Sequence, residues 1–186
     1  MERKTKGLQT RDLAYVAVCA VLMAVCSWIS IPAAVPFTLQ TFAVFCSLGF
    51  LGGKRGTAAI LVYLLLGALG IPVFAGFSGG IGILFGTTGG YLLGFILMGL
   101  VYWFGERLSR DSRNVRIVRI VSMILGLLLC YAFGTAWFMF VYARQSGVIA
   151  LGTALAWCVI PFLLPDLVKL ALALQLSGRL RKVLHF

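Results

Sequence analysis

The sequence predicts an all-α integral membrane protein of six transmembrane helices with both termini in the cytoplasm. Three observations carry that prediction. Hydrophobic residues fill 61% of the 186 positions and charged residues 11%, with a mean hydropathy of +1.04, whereas a soluble domain carries about 25% charged residues. Six apolar stretches approach the length that a hydrocarbon core of about 30 Å demands, about 20 residues at about 1.5 Å each. Of sixteen Lys and Arg residues, fourteen fall on one side of that pattern, which marks the cytoplasmic face because cytoplasmic loops retain basic residues.

The first stretch, 11–31, follows the basic residues Arg3, Lys4, Lys6 and Arg11. Its apolar run, Leu13 to Ile31, is longer than the about 7 to 15 residues of a signal peptide and reads as a retained helix. Ala14, Ala17, Ala20 and Ala24 form a small-residue stripe suited to close packing, either within the chain or against a separate subunit. Pro32 and Pro36 prevent a continuous helix and predict an extended outer loop after helix one. Stretches two and three, 37–53 and 57–74, meet at Lys54 and Arg55 on the cytoplasmic side.

A glycine-rich loop, 75–90, with seven glycines in sixteen residues, leads into helix four. Irregular backbone at membrane depth is tolerated where it lines a cavity, so 75–82 is expected to line a substrate site. Gly82, Gly86, Gly90 and Gly94 recur every four residues, so packing is expected over 86–94. Helix four, 87–105, is followed by Arg107, Arg110, Arg113, Arg116 and Arg119, and helix five covers 117–142. Arg144 is the one basic residue in an outer loop, and the last stretch, 151–178, ends at Arg179, Arg181 and Lys182. An even number of spans puts both termini on one face, in agreement with the charges.

Several functions are excluded. Six spans use about 120 positions and leave about 66 for loops and tails, too few for a soluble catalytic domain, so residues 1–186 form a single membrane domain. The segment Gly49 to Arg55 lacks the spacing and the hydroxyl of a phosphate-binding loop; ATP for active transport would have to be used by another protein. The net charge of +11 reads as topology and attraction to anionic lipid, with no nucleic-acid partner. The five cysteines are scattered through apolar stretches and read as small buried hydrophobes, with no metal site and no cofactor implied. His185 is expected to be solvated in the tail.

Asp166 and Lys169 are the best indication of function, because each charge at the bilayer centre costs about 2.5–3.5 kcal/mol on insertion scales. At i and i+3 they share one helical face. They serve either a ligand or an ion pair that only joins helices. Gln40 and Thr41 add amide and hydroxyl groups suited to a polar ligand, while Thr38 and Thr41 alternatively bond the nearby backbone. Counting about 1.5 Å per residue from the nearest cytoplasmic charge puts Gln40, Tyr91, Asp166 and Lys169 at depths of about 21, 24, 20 and 15 Å, so all four can meet. Trp28, Tyr102, Trp103, Trp137 and Tyr142 fall near span ends and are expected to anchor in the interfaces.

At Val35-Pro36-Phe37-Thr38-Leu39-Gln40-Thr41, Gly67 to Ala75, Ser78-Gly79-Gly80, Thr88-Gly89-Gly90-Tyr91 and Pro165-Asp166-Leu167-Val168-Lys169, the chain resembles the biotin-specific S component of energy-coupling factor transporters, the BioY family. Thr87 stands where many members have proline. The resemblance implies a six-helix S component of a bacterial cytoplasmic membrane that binds biotin near the external side. It also implies a transmembrane coupling subunit and two cytoplasmic ATPases as partners, with the S component toppling to release substrate. Ala20 and Ala24 are the pair it implies for docking on the coupling subunit.

For biotin, Asp166 would accept from the ureido nitrogens, Gln40 and Tyr91 would complete the network, and Phe37, Phe74 and Phe77 would form walls, with Ser78 and Gly79 lining the loop side. Lys169 would either neutralise the ligand carboxylate or orient Asp166. The rival readings are a solitary carrier, an S component for another vitamin, and an intramembrane enzyme. The enzyme is weakest, since no nucleophile with a base and no second carboxylate accompanies Asp166.

Overall fold

A computed structural model describes residues 10–33, 35–109 and 114–183, with side chains as far as Arg179. Arg3, Lys4, Lys6, Arg110, Arg113 and His185 lie outside the described residues, as do the side chains of Arg181 and Lys182. The helices are α1 (Thr10–Trp28), α2 (Gln40–Ala68), α3 (Ile81–Phe85), α4 (Gly89–Leu108), α5 (Val115–Ser146), α6 (Leu151–Cys158) and α7 (Ile160–Val183). A two-residue antiparallel ribbon, β1 (Ser30–Ile31) with β2 (Phe37–Thr38), closes the proline-containing loop in the register Ser30 to Thr38.

Five segments among the described residues are long and apolar enough to cross a membrane: Thr10–Trp28, Gln40–Ala68, Gly89–Leu108, Val115–Ser146 and Leu151–Arg179. The expected spans 37–53 and 57–74 thus fall in one element, α2. That element is not a rod. Along a straight helix Gln40 and Tyr63 would stand about 35 Å apart, yet Gln40 Nε2 donates to Tyr63 Oη at 2.7 Å. The reversal occurs at Gly52, whose φ of 78° and ψ of 174° suit a residue without Cβ. Arms 40–51 and 53–68 therefore lie antiparallel.

The bend gathers with other helix ends. Arg55 pairs with Asp12 of α1 at 3.0 Å, and the Gly53 N–H donates to Glu106 Oε2 of α4 at 2.7 Å. At the other end of α2 the helix stops at Ala68, short of the expected Phe74, because Gly70 adopts a φ of 97° and Pro72 cannot continue it. The expected stretch 151–178 is interrupted at Val159, because Pro161 has no N–H to bond back to Trp157 and is tolerated only in the first turn of a new helix. Helix α5 has 32 residues, about 48 Å, and outruns the hydrocarbon core.

Helix α4 packs along α5, while α1, α4 and α7 pack against α2. Close approach of α4 and α5 depends on Gly90, beside Trp137, and Gly94, beside Cys130. A Cβ on Gly82 would meet nothing, and one on Gly86 would meet only its own turn, so the packing groove is shorter than the four-residue spacing suggests. Ala20 and Ala24 require a correction. They are 2% and 6% exposed, in the core where α1 meets the rest of the chain, and are not free to dock elsewhere. The exposed face of α1 carries Ala14, Ala17, Val18, Val21 and Val25 instead.

Candidate functional site

Helix α7 brings Asp166 and Lys169 into the interior on one face, where they are 1% and 6% exposed. Two charges so placed persist only if every lone pair and proton is used. Lys169 Nζ donates to Asp166 Oδ1 at 2.7 Å, to the Thr38 carbonyl at 2.7 Å and to Thr41 Oγ1 at 3.1 Å. Its three protons thus have three acceptors, and the Phe37 ring lies 4.4 Å away as a cation-π partner. Asp166 Oδ1 also accepts from Thr41 Oγ1 at 2.8 Å, and Oδ2 accepts from Tyr131 Oη at 2.6 Å. The Thr38 carbonyl is available because it ends the ribbon just before α2 begins.

A second network faces this one. Tyr63, held by Gln40, donates to the Val73 carbonyl at 3.1 Å, and Ser27 Oγ reaches the same carbonyl at 2.6 Å, fixing the loop after α2. Phe74 seats on Gly67, where any Cβ would collide with its ring, and meets Tyr63 edge-on at 5.5 Å. Tyr91 Oη and Thr135 Oγ1 lie 2.9 Å apart across α4 and α5.

Between the networks is a cavity of about 210 Å³. Thr38, Gln40, Thr41, Tyr131, Asp166 and Lys169 form its polar end, and Phe74, Ile83, Leu92, Phe95, Leu127 and Phe162 its apolar walls, with Tyr91, Ser78 and Thr88 between. Apolar walls with a few convergent polar groups are the make-up of a small-molecule binding site.

Six expected site residues therefore share one cavity: Gln40, Phe74, Ser78, Tyr91, Asp166 and Lys169. Three others are elsewhere. Phe37 lies behind Lys169, stacked on Phe162 at 5.7 Å. Phe77, with a φ of 56° and 64% exposed, stacks on Trp28 at 5.0 Å. Gly79 lets its backbone approach the Ile71 carbonyl, which closes the loop. Of the two ambiguous threonines, Thr41 joins the charged network, whereas Thr38 Oγ1 accepts the Gln40 N–H at 3.2 Å. Trp28 and Trp137, expected as interface anchors, donate their indole N–H groups to the Pro72 carbonyl at 2.9 Å and the Gly86 carbonyl at 3.0 Å, so they tie down loops.

Sequence reasoning missed Tyr131. The depth count that singled out Gln40 applies equally: Tyr131 is twelve residues from Arg119, about 18 Å, the level of Asp166.

A family model described as the BioY family matches residues 1–186. The chain is 40% identical over 174 residues to the biotin transporter BioY of Thermotoga maritima, covering 93% of this chain and 97% of that one. It is 38% identical over 175 residues to a probable biotin transporter BioY of Pyrococcus horikoshii, covering 94% and 98%. Among solved structures it is similar to the S-component for biotin from an ECF-type ABC transporter, with a TM-score of 0.80, 26% identity and coverage of 98% and 95%.

Proposed function

Because the chain belongs to the BioY family, we propose that it is the S component that captures biotin for an energy-coupling factor transporter, with the Asp166 cavity as its intramembrane binding site. The observation that carries this reading is the saturated Asp166, Lys169, Thr41 and Tyr131 network at the polar end of an otherwise apolar cavity. Biotin has a ureido ring with two N–H donors and one carbonyl, an apolar thioether ring and an anionic tail. Asp166 accepts from a ureido N–H, and Gln40, held through Nε2 by Tyr63, offers its amide carbonyl. Tyr91 supplies a hydroxyl to the ureido oxygen or the tail, and Phe74, Phe95 and Phe162 enclose the rings.

Lys169 has no free proton in this arrangement, which supports the orienting role over direct capture of the carboxylate. It reaches a ligand carboxylate only by leaving Thr38 or Thr41. The chain crosses the membrane six times with both termini cytoplasmic. The antiparallel arms of α2 supply the sixth pass, and Arg55, Lys54, Arg107 and Arg119 gather at the end opposite the cavity. Energy comes from ATP used by two cytoplasmic ATPases joined to a transmembrane coupling subunit. Toppling of this chain in the membrane then exposes the site to the cytoplasm. The coupling subunit meets the open face of α1 at Ala14 and Ala17.

Calorimetry of the detergent-purified chain against biotin and competing vitamins tests the assignment. Biotin alone should bind tightly, and Asp166→Asn should abolish most of that affinity. Wild-type affinity in the Asp166→Asn protein, or tighter binding of another vitamin, sinks the reading. Co-purification with a coupling subunit separates the pump component from a solitary carrier.

A further inference from the structure

A second cavity, about 660 Å³, lies at the far end of the helices from Asp166, bounded by the α2 bend, the end of α4 and the start of α5. Tyr91 and Arg107 belong to α4 and mark the two levels, sixteen residues and about 24 Å apart. Among the described residues, four cations line the second cavity, Lys54, Arg55, Arg107 and Arg119, together with one carboxylate, Glu106. Arg55 is matched by Asp12 at 3.0 Å. Arg119 Nη2 reaches Glu106 Oε1 at 3.8 Å, and Glu106 also caps the arm that begins at Gly53.

Those pairings leave two charges over. Lys54 has no hydrogen bond or anionic partner among the described residues, and Arg107 has only the Trp103 ring, 4.8 Å from its guanidinium carbon. The Arg119 guanidinium, already turned to Glu106, keeps its Nε buried away from the cavity. On α4, in the same turns as the cavity residues Trp103 and Arg107, Phe104 and Leu108 are 65% and 67% exposed and form an apolar strip one turn long.

We propose that this cavity binds the phosphate of an anionic phospholipid, with Lys54 and Arg107 as its donors and the Phe104 and Leu108 face as the seat of an acyl chain. The apolar strip beside the cations favours a lipid over a soluble phosphate, which would leave it uncovered. The site is independent of the biotin reading. A lipid held there fastens the α2 bend to the α4 and α5 ends.

Native mass spectrometry of the purified full-length chain tests this in the absence of biotin, with phosphatidylglycerol and phosphatidylcholine offered in equal amounts. Phosphatidylglycerol should be retained preferentially. The Lys54→Gln/Arg107→Gln protein should lose that preference, by about fivefold for each cation removed. Arg144→Gln, an exposed cation at the opposite end, should keep it, and biotin affinity should be unchanged in both proteins. Equal retention of the two lipids by the wild type, or an undiminished preference in the double variant, overturns the proposal. Release of phosphatidylglycerol by excess inorganic phosphate as complete as that caused by the double substitution assigns the cavity to a soluble anion and also overturns it.

Discussion

The chain has two clusters of charge, one at each end of its helices, and they are balanced differently. At the Asp166 cavity, one acid and one base are nearly sealed from solvent, and five hydrogen bonds within the cluster occupy both carboxylate oxygens and all three ammonium protons. At the basic cavity, four cations surround one carboxylate among the described residues, and two of those cations have no anionic partner there. The dielectric surroundings account for the contrast. In a dry protein interior an uncompensated charge is strongly penalised and must be paired. At the basic cavity, where the Arg55 side chain is 37% exposed, water and salt screen charge over about 8–10 Å and an excess of one sign is tolerated.

The largest effect expected from breaking this contrast is at Lys169. Replacing it with alanine leaves the Asp166 carboxylate buried without its cation, which costs about 3–5 kcal/mol. Thermal unfolding of the Lys169→Ala protein should show that loss, together with loss of biotin binding. The Asp166→Asn/Lys169→Met double variant should recover most of the stability, because removing both charges also removes their desolvation cost, while binding stays lost. A double variant no more stable than Lys169→Ala would mean that the pair is not coupled as the geometry indicates.

The same contrast explains what was legible in the sequence. Charges are rare in apolar stretches, so Asp166 and Lys169 stand out, and the depth count brings Gln40 and Tyr91 to their level. The positions of Phe37 and Phe77 were not legible. Both lie in connecting segments where side-chain direction depends on a ribbon register and on a positive φ, which residue spacing does not determine. The α2 reversal was legible only approximately: Lys54 and Arg55 mark a turn, but glycines at 49, 52 and 53 left the exact pivot open. Ala20 and Ala24 illustrate a general limit, since a small-residue stripe looks the same whether it packs inside the chain or against another subunit.

A smaller effect is expected at Tyr131, which supplies one of the carboxylate's three donors. Tyr131→Phe keeps the ring and removes a hydrogen bond to a charged group, about 1.5–3 kcal/mol, or about ten- to hundredfold if felt wholly in binding. Calorimetry should show weaker biotin binding, and thermal unfolding a smaller loss than for Lys169→Ala. An unchanged affinity would show that Asp166 is positioned by Thr41 and Lys169 alone.

The smallest effect belongs to the ion pair at the border. Arg55 and Asp12 lie 3.0 Å apart, but the Arg55 side chain is 37% exposed, so water competes for its guanidinium and salt screens the attraction. The Asp12 side chain is 11% exposed but keeps a further interaction when Arg55 is lost, so the contribution lies nearer the about 0.2–1 kcal/mol of exposed pairs than the about 3–5 kcal/mol of breaking a buried one. Arg55→Gln should therefore shift the unfolding temperature slightly, and the shift should shrink as ionic strength rises. It should leave biotin affinity unaltered, since the cavity lies where the two arms of α2 end, away from their bend. Thermal unfolding at low and high salt provides the check. A salt-independent loss as large as that of Lys169→Ala would mean that the bend is as dry as the ligand cavity, and the contrast between the two ends would then rest on something other than dielectric surroundings.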